Sequence, residues 1–211
     1  MIMKLPLRIR KKIETEETIL AVAKRLFLEK GYSRVTVPEI ADMANVSVKT
    51  VFNYFGSKEE LAFREEILFC DRLVLHILSR EKGQSIFDAF QDFVWNLIQS
   101  IDPENLIDSL PGFHPWMDDP ILEQRYLQLW ENYEKRISDS LQLQFERTGF
   151  DPILRVISCQ MVTLLRTLGS KEFKEYLKPI PMALRYRALE KWILGSLELM
   201  SGIREYLLKL V

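Results

Sequence analysis

The chain contains few of the residues on which several fold classes depend. Its 211 residues include only 8 glycines and 9 prolines, which excludes collagen-like and linker-rich chains and disfavours an all-β fold with many tight turns. Charges interrupt every apolar run before it reaches the roughly 18 residues of a membrane span. The N-terminus also lacks the apolar stretch of a signal peptide. The two cysteines, Cys70 and Cys159, are too few for a disulfide framework. Their apolar helical surroundings predict reduced core thiols in a cytoplasmic protein without a membrane partner.

Charged residues are abundant, and their distribution along the chain is uneven. The net charge is only -1, but residues 1–60 hold 11 Lys and Arg against 8 Asp and Glu, whereas residues 61–211 hold 18 against 22. The first twelve residues include no acid and five basic side chains, which are Lys4, Arg8, Arg10, Lys11 and Lys12. A basic head on an acidic body suggests a polyanionic partner at one end, although a solvated basic tail has the same composition.

Hydrophobic spacing predicts an all-α fold. A stripe at three- and four-residue spacing ends at Gly31, and a fourth helix is predicted to start at Ser57 and to run to about residue 80. Long helices are predicted at about 121–147, 152–169 and 182–208. The sequence has no internal repeat, so we expect an N-terminal head at residues 1–60 and a helical body at residues 61–211.

Two short helices with strong start signals lie within the head. Thr36 is followed by Pro38 and Glu39 in a capping box, which predicts a helix over 36–43. Ser47 caps a second helix over 47–55. Asn45, in the turn between them, is a residue that tolerates a left-handed conformation. Two short helices joined by a three-residue turn predict a helix-turn-helix, in which the second helix enters the major groove of DNA.

The phase of the second helix separates its packing residues from its candidate DNA-binding residues. The positions predicted to pack are Ile40, Ala41, Ala44, Val46, Val51 and Phe55. Lysine and asparagine side chains can hydrogen-bond to base edges, and an aromatic ring can contact the methyl group of thymine. Hydroxyl groups and an ammonium group can bind phosphates. The candidate DNA-binding residues are Thr36, Ser47, Val48, Lys49, Thr50, Phe52, Asn53, Tyr54 and Lys58. The alternative is a helical hairpin with a solvated polar face. The predicted exposure of Phe52 beside Asn53 and Tyr54 argues against it.

Residues 14–61 resemble the DNA-binding head of the TetR/AcrR family of transcriptional repressors. The matching features lie in one register and are Leu26-Phe27, Glu29-Lys30-Gly31-Tyr32, Thr36-Val37, Ile40-Ala41, Ala44, Val46-Ser47, Thr50-Val51, Tyr54-Phe55 and Ser57-Lys58-Glu59. The chain departs from the family pattern at Asn45 and Lys49, where the family has Gly, and at Phe52, where Tyr is common. The resemblance implies the fold, but because of these departures the DNA sequence that is read cannot be carried over.

The resemblance also implies the architecture and the partners of the body. It implies about nine helices, with the last two pairing with their copies in a second subunit. By stripe position, the contacts expected there are Val156, Ile157, Gln160, Leu164, Trp192, Gly195 and Leu199. It further implies an effector pocket, for which the candidate residues are Trp95, Phe113, Trp116, Met117, Tyr126, Trp130, Tyr133, Met161 and Arg166. Aromatic and methionine side chains suit an apolar or aromatic ligand, although ordinary core packing is the more common explanation for any single one of them.

Two other function classes stay open at this point. A helix-turn-helix protein can be regulated by a protein partner without any small ligand. An enzyme would use Trp116, His114 and Asp118, but no nucleophile–base pair accompanies them. Neither histidine has a Cys or His at ligand spacing, so we expect no metal and no cofactor.

The prediction is therefore a cytoplasmic, homodimeric transcriptional regulator, most simply a repressor. It is expected to bind palindromic double-stranded DNA and to be released from it by a small, largely apolar or aromatic effector.

Overall fold

The computed structural model describes residues 6–110 and 120–203, and the described residues form helices and connecting turns with no strand among them. The prediction of an all-α fold is confirmed. The helices are α1 (Leu7–Lys30), α2 (Val37–Met43), α3 (Val48–Tyr54), α4 (Lys58–Ala62), α5 (Arg64–Leu78), α6 (Ile86–Gln99), α7 (Leu106–Ser109), α8 (Pro120–Gln144), α9 (Pro152–Leu168), α10 (Lys171–Leu177) and α11 (Met182–Leu199). A short 3₁₀ turn, Tyr32–Arg34, joins α1 to α2.

The described residues divide into two compact units, each with its own apolar core. The first unit comprises residues 6–65 and 120–126, and the second comprises residues 66–110 and 127–203. In the first, α1 contacts α2 and α4, and α2 contacts α3. Its fully buried side chains include Ile19, Ala23, Phe27, Ile40, Val51 and Phe55. In the second, α10 contacts both α9 and α11, and the buried side chains include Leu73, Phe90, Val94, Met161, Leu165 and Ile193.

Three helix starts of the first unit use the side-chain caps that the sequence predicts. The hydroxyl of Thr36 accepts from the N–H of Glu39 at 3.3 Å, and that of Ser57 accepts from the N–H of Glu60 at 3.1 Å. Ser47 caps α3 in the same way. The Glu39 carboxylate faces the backbone N–H of Thr36, which is the reciprocal half of the first capping box, and also forms an ion pair with Lys30. This ion pair holds the pKa of Glu39 below its usual range.

Several predicted boundaries differ from the structure. The helix expected from Ser57 to about residue 80 is interrupted at Phe63, where φ is -108° and ψ is 15°. The Phe63 side chain is buried and stacks on Tyr126, with ring centroids 5.9 Å apart. At the N-terminus, residues 7–12 form the first turns of α1. The described part of the basic segment is therefore helical, and because its basic side chains are exposed, the alternative of a solvated basic segment stays open.

The two cysteines have different surroundings. Cys70 is fully buried in α5, as predicted, but Cys159 is exposed on α9. The prediction of a core thiol at Cys159 is wrong, because helical periodicity puts it on the same side of α9 as the exposed Val156. Among the described residues, no helix is long and apolar enough to cross a membrane.

Candidate nucleic-acid interface

Helix α3 presents a mixed polar and aromatic face on an apolar anchor. Val51 and Phe55, which follow the helical repeat on the inner side, are each 1% exposed. The outer side carries exposed residues: Val48, Lys49, Phe52 and Asn53. Phe52 is 49% exposed, although an apolar ring of this size is usually buried. The predicted inward and outward phases of α3 are therefore confirmed.

The turn between α2 and α3 holds this face in place. Asn45 has a φ of +53°, the left-handed conformation that its position predicts. Its N–H donates to the carbonyl of Asp42 at 3.0 Å, and the next N–H, of Val46, donates to the carbonyl of Ala41 at 2.9 Å. Because these bonds satisfy the backbone where α2 ends, the turn fixes the direction in which α3 leaves it.

Hydroxyl groups lie at the start of both short helices. Thr36 and Ser47 are exposed, and Thr50 is half-buried. The Ser47 hydroxyl accepts from the N–H of Thr50 at 3.0 Å and lies 2.8 Å from the Thr50 hydroxyl. One of these two hydroxyls donates its proton to the oxygen of the other. The second hydroxyl proton is then available to be donated to a phosphate. Tyr54 is half-buried beside this face.

Lys58 occupies a different environment from the other predicted phosphate ligands. Its ammonium donates to the carbonyl of Tyr32 at 2.7 Å and lies 3.9 Å from the centroid of the Tyr32 ring. The ring of Phe27 is 6.0 Å away. Lys58 thus ties the start of α4 to the 3₁₀ turn through a hydrogen bond and a cation–π contact. Its contact with a phosphate stays a prediction.

The basic N-terminal segment lies within α1. Arg8, Arg10, Lys11 and Lys12 are all exposed, and Lys4 lies outside the described residues. Arg8, Lys11 and Lys12 share one face at three- and four-residue spacing. Further along α1, Glu16 accepts from the guanidinium of Arg64 at 2.6 Å. The basic face therefore belongs to a helix that is anchored within the first unit.

The residues predicted for the dimer interface fall into two groups. Val156, Gln160, Gly195 and Leu199 are exposed, whereas Ile157 and Leu164 are buried and Trp192 is half-buried. An open groove of about 260 Å³ between α9 and the end of α11 includes Val156, Ile157, Gln160 and Leu199 in its lining. The contact of Leu164 with a second subunit stays a prediction, and its burial does not favour it. Leu164 is only 5% exposed and belongs to the same buried side of α9 as Met161 and Leu168.

The residues predicted for an effector pocket are also dispersed. Phe113, Trp116 and Met117 lie outside the described residues, as does His114 of the enzyme alternative. In the second unit, Trp130, Tyr133 and Met161 are buried and Trp95 is half-buried; Tyr126, in the first unit, is half-buried too. Arg166 is exposed on α9, on a different side from the buried Met161, so its role as a polar handle for an interior ligand is not supported.

Sequence reasoning missed a carboxylate inside the second unit. Glu66 of α5 is only 4% exposed. Its position could have been noticed, because it shares an apolar helical stripe with Cys70, Leu73 and Ile77. An acid in such a stripe is unusual, because burying a charge is costly unless it is paired.

Comparison with known proteins agrees with the helix-turn-helix geometry. Residues 19–64 match the family described as bacterial regulatory proteins, tetR family. The HTH-type transcriptional regulator TcmR of Streptomyces glaucescens is 43% identical over 56 residues, which are 26% of this chain and 25% of TcmR. The HTH-type transcriptional regulator LuxR of Vibrio harveyi is 30% identical over 92 residues, or 39% of this chain and 44% of LuxR. The match thus spans between a quarter and somewhat under half of these curated relatives.

Solved structures resemble the chain over more of its length. Salmonella enterica GusR is 18% identical, covers 93% of this chain and 98% of its own, and superimposes with a TM-score of 0.49. The family match, together with the register of the helix-turn-helix residues, shows that residues 19–64 are similar to the corresponding segment of the tetR family of bacterial regulatory proteins.

Proposed function

We propose that the chain is a DNA-binding transcriptional regulator, and specifically a repressor that a small molecule releases from its operator. The observation that carries the DNA-binding part is the exposed side of α3, which presents Lys49, Phe52 and Asn53 on the buried anchors Val51 and Phe55. The relatives TcmR and LuxR are themselves named transcriptional regulators. Residues 1–60 are the DNA-binding head in this proposal, and residues 61–211 are the effector-binding and dimerisation body.

The chemistry of α3 suits the major groove. A helix fits this groove, where asparagine can make two hydrogen bonds to adenine and lysine can reach guanine. The half-exposed Phe52 ring can contact the methyl group of thymine. The hydroxyls of Thr36, Ser47 and Thr50 and the ring hydroxyl of Tyr54 flank this face and suit phosphates, which set the register of the helix on the duplex.

The basic face of α1 adds a contact that does not depend on sequence. Arg8, Lys11 and Lys12 are exposed together on one side of the helix. Each phosphate that such side chains neutralise contributes about -0.9 to the slope of log K against log salt. Strong salt dependence is therefore part of the proposal.

A homodimer would present two copies of α3 to the DNA, one from each subunit. A single short helix contacts only a few base pairs, and a two-fold dimer reads two half-sites of a palindrome. The exposed apolar side chains Val156 and Leu199 at the α9–α11 groove suit a subunit contact. A second copy of this chain is therefore the partner that we assign to α9 and α11.

Effector control is a linkage between two binding events. An effector that binds the second unit and favours a state with poor DNA affinity must itself bind less tightly when DNA is present. A tenfold effect on DNA binding corresponds to about 1.4 kcal/mol in both directions. The buried aromatic pair Trp130 and Tyr133 supports an apolar or aromatic effector.

Selection from a random pool of duplexes tests the proposed function directly. The purified full chain is expected to enrich a palindromic motif, and fluorescence anisotropy is expected to give at least about 1,000-fold tighter binding to it than to a scrambled duplex. Enrichment of no motif, together with binding that ignores salt, would contradict the proposal.

A further inference from the structure

An apolar row runs along the outer face of α3, beside a polar row. Val48 begins the helix and is 38% exposed, and Phe52, one turn later, is 49% exposed. Residues four positions apart lie on the same side of a helix, about 6 Å apart along its axis. Lys49 and Asn53 repeat this spacing one residue further on and are also exposed. The outer face of α3 is therefore divided lengthwise into an apolar half and a hydrogen-bonding half.

The apolar row contributes neither to the core nor to phosphate binding. The inner side of α3 is already formed by Val51 and Phe55, each 1% exposed. A phosphate contact needs a donor, and neither Val48 nor Phe52 carries one on its side chain. Phe52 stands where the tetR pattern commonly has Tyr, so its ring lacks the hydroxyl that could bind a phosphate. The contact that this row can make with DNA is therefore an apolar contact with the bases.

The major groove presents one apolar group, which is the C5 methyl of thymine. Cytosine presents an N4 amino donor there and no methyl group. Packing against Val48 or Phe52 removes a thymine methyl from water, whereas a cytosine amino group in the same place would be left without an acceptor. Because neighbouring base pairs are about 3.4 Å apart, the two side chains can reach pyrimidines that are one or two base pairs apart.

Resting on the DNA-binding function proposed above, we propose that Val48 and Phe52 recognise the C5 methyl groups of two pyrimidines in each operator half-site. Lys49 and Asn53 contact the hydrogen-bonding edges of bases beside them. The partner is thus a duplex whose recognised pyrimidines carry a C5 methyl group, which thymine has and 5-methylcytosine shares. Methylation of a cytosine at either position therefore strengthens the binding of this protein.

Base analogues that change only the methyl group test this inference in the operator selected from random duplexes. Each thymine of the half-site is replaced in turn by deoxyuridine, symmetrically in both halves, and fluorescence anisotropy gives the affinity of the full chain. Burial of one methyl group changes affinity about fourfold, so a contacted position should lose about 15-fold over two half-sites. Cytosine at the same position should bind more weakly still, and 5-methylcytosine should recover about 15-fold over cytosine.

Two variants assign each methyl group to a side chain. Val48→Ala and Phe52→Ala should each lower the thymine-to-deoxyuridine affinity ratio at one position, from about 15-fold to about threefold or less, and leave it unchanged at the other. Because this ratio is measured within one protein preparation, a loss of active protein does not alter it. Phe52→Leu keeps an apolar side chain and should retain most of the ratio.

Leu28→Ala is the matched control, because it shortens an exposed apolar side chain of the first unit that lies on α1, outside α3. Both ratios should be unchanged in this variant. Equal affinity for thymine and deoxyuridine at every position, or ratios that Val48→Ala and Phe52→Ala leave unchanged, would overturn the inference while the DNA-binding function stands. A selected half-site without thymine on either strand would do the same. If no motif is selected, the DNA-binding function itself fails, and the recognition of methyl groups fails with it.

Discussion

Two exposed helix faces carry large apolar side chains, and they differ in what surrounds those side chains. On α3, Phe52 lies beside Lys49 and Asn53, so an apolar ring is combined with hydrogen-bonding groups and a positive charge. At the α9–α11 groove, Val156 is 54% exposed and Leu199 is 90% exposed in a lining that is mostly apolar. In the proposed function, the first combination contacts the edges of base pairs and the second contacts another apolar protein surface. The two proposed partners therefore differ because the polar groups beside the exposed apolar side chains differ.

The largest effect is expected when a charge is placed on the apolar face. Val156→Glu should leave the subunit folded, since the side chain is half-exposed, and should convert the proposed dimer to a monomer. An unpaired charge in an apolar interface costs several kcal/mol, so the dimer dissociation constant should rise by about 100-fold or more. Light scattering across a concentration series measures the change, and operator affinity should fall with it.

Leu143→Glu is the matched control for this experiment, because it places the same charge on an exposed leucine at the end of α8, outside the groove. The control should stay dimeric. If Val156→Glu is also a dimer, the subunit contact lies elsewhere. Leu164 is unsuitable as a test position, since a charge there enters the core of the second unit.

The next largest effect concerns base reading by α3. Asn53→Ala should cost roughly 1–3 kcal/mol on the selected operator and much less on random duplex, because a bidentate contact to one base is lost. Anisotropy titrations on both duplexes measure this difference. Equal losses on the two duplexes would assign Asn53 to the phosphates.

Lys58 provides a test that separates DNA contact from internal support. Its bond to the Tyr32 carbonyl and its position over the Tyr32 ring predict that Lys58→Ala lowers the free energy of unfolding by about 1–2 kcal/mol. Chemical denaturation measures this loss. A phosphate contact, if Lys58 also makes one, would reduce the salt slope by about one unit. An unchanged unfolding free energy would show that the contacts to Tyr32 contribute nothing.

The smallest expected effect is that of Lys49→Ala. The Lys49 side chain is exposed on α3. Its removal should weaken DNA binding at low salt more than at high salt. If Lys49 neutralises one phosphate, the slope of log K against log salt changes by about 0.9. If it reads a guanine edge instead, the loss is confined to one position of the operator.

The first unit could be predicted in detail from the sequence because its signals are local. The caps at Thr36, Ser47 and Ser57 and the left-handed turn at Asn45 each depend on a few neighbouring residues, and each is present in the structure. The outward phase of α3 follows from the same short-range repeat. The sequence could not reveal that the Lys58 ammonium donates a hydrogen bond to the Tyr32 carbonyl, because 26 residues separate the two.

The second unit was harder to predict because its helices are apolar on more than one side. On α9, Val156, Ile157 and Leu164 all read as apolar stripe positions, but only Val156 is exposed. Which side of such a helix becomes core depends on the packing of other helices, and periodicity does not encode it. Because periodicity does not specify which side of a helix is buried, Cys159 was predicted to be buried although it is exposed. The burial of the Glu66 carboxylate was overlooked for the same reason.

A change of DNA specificity tests most directly the central claim that the outer face of α3 reads base pairs. Selection from the same random duplex pool is carried out with the wild type and with the double variant Lys49→Gly, Phe52→Tyr, which alters only exposed positions of α3. The variant is expected to enrich a motif that differs at one or a few positions of each half-site, while the palindromic spacing is retained. An identical motif for the two proteins would contradict the claim that these side chains read the operator.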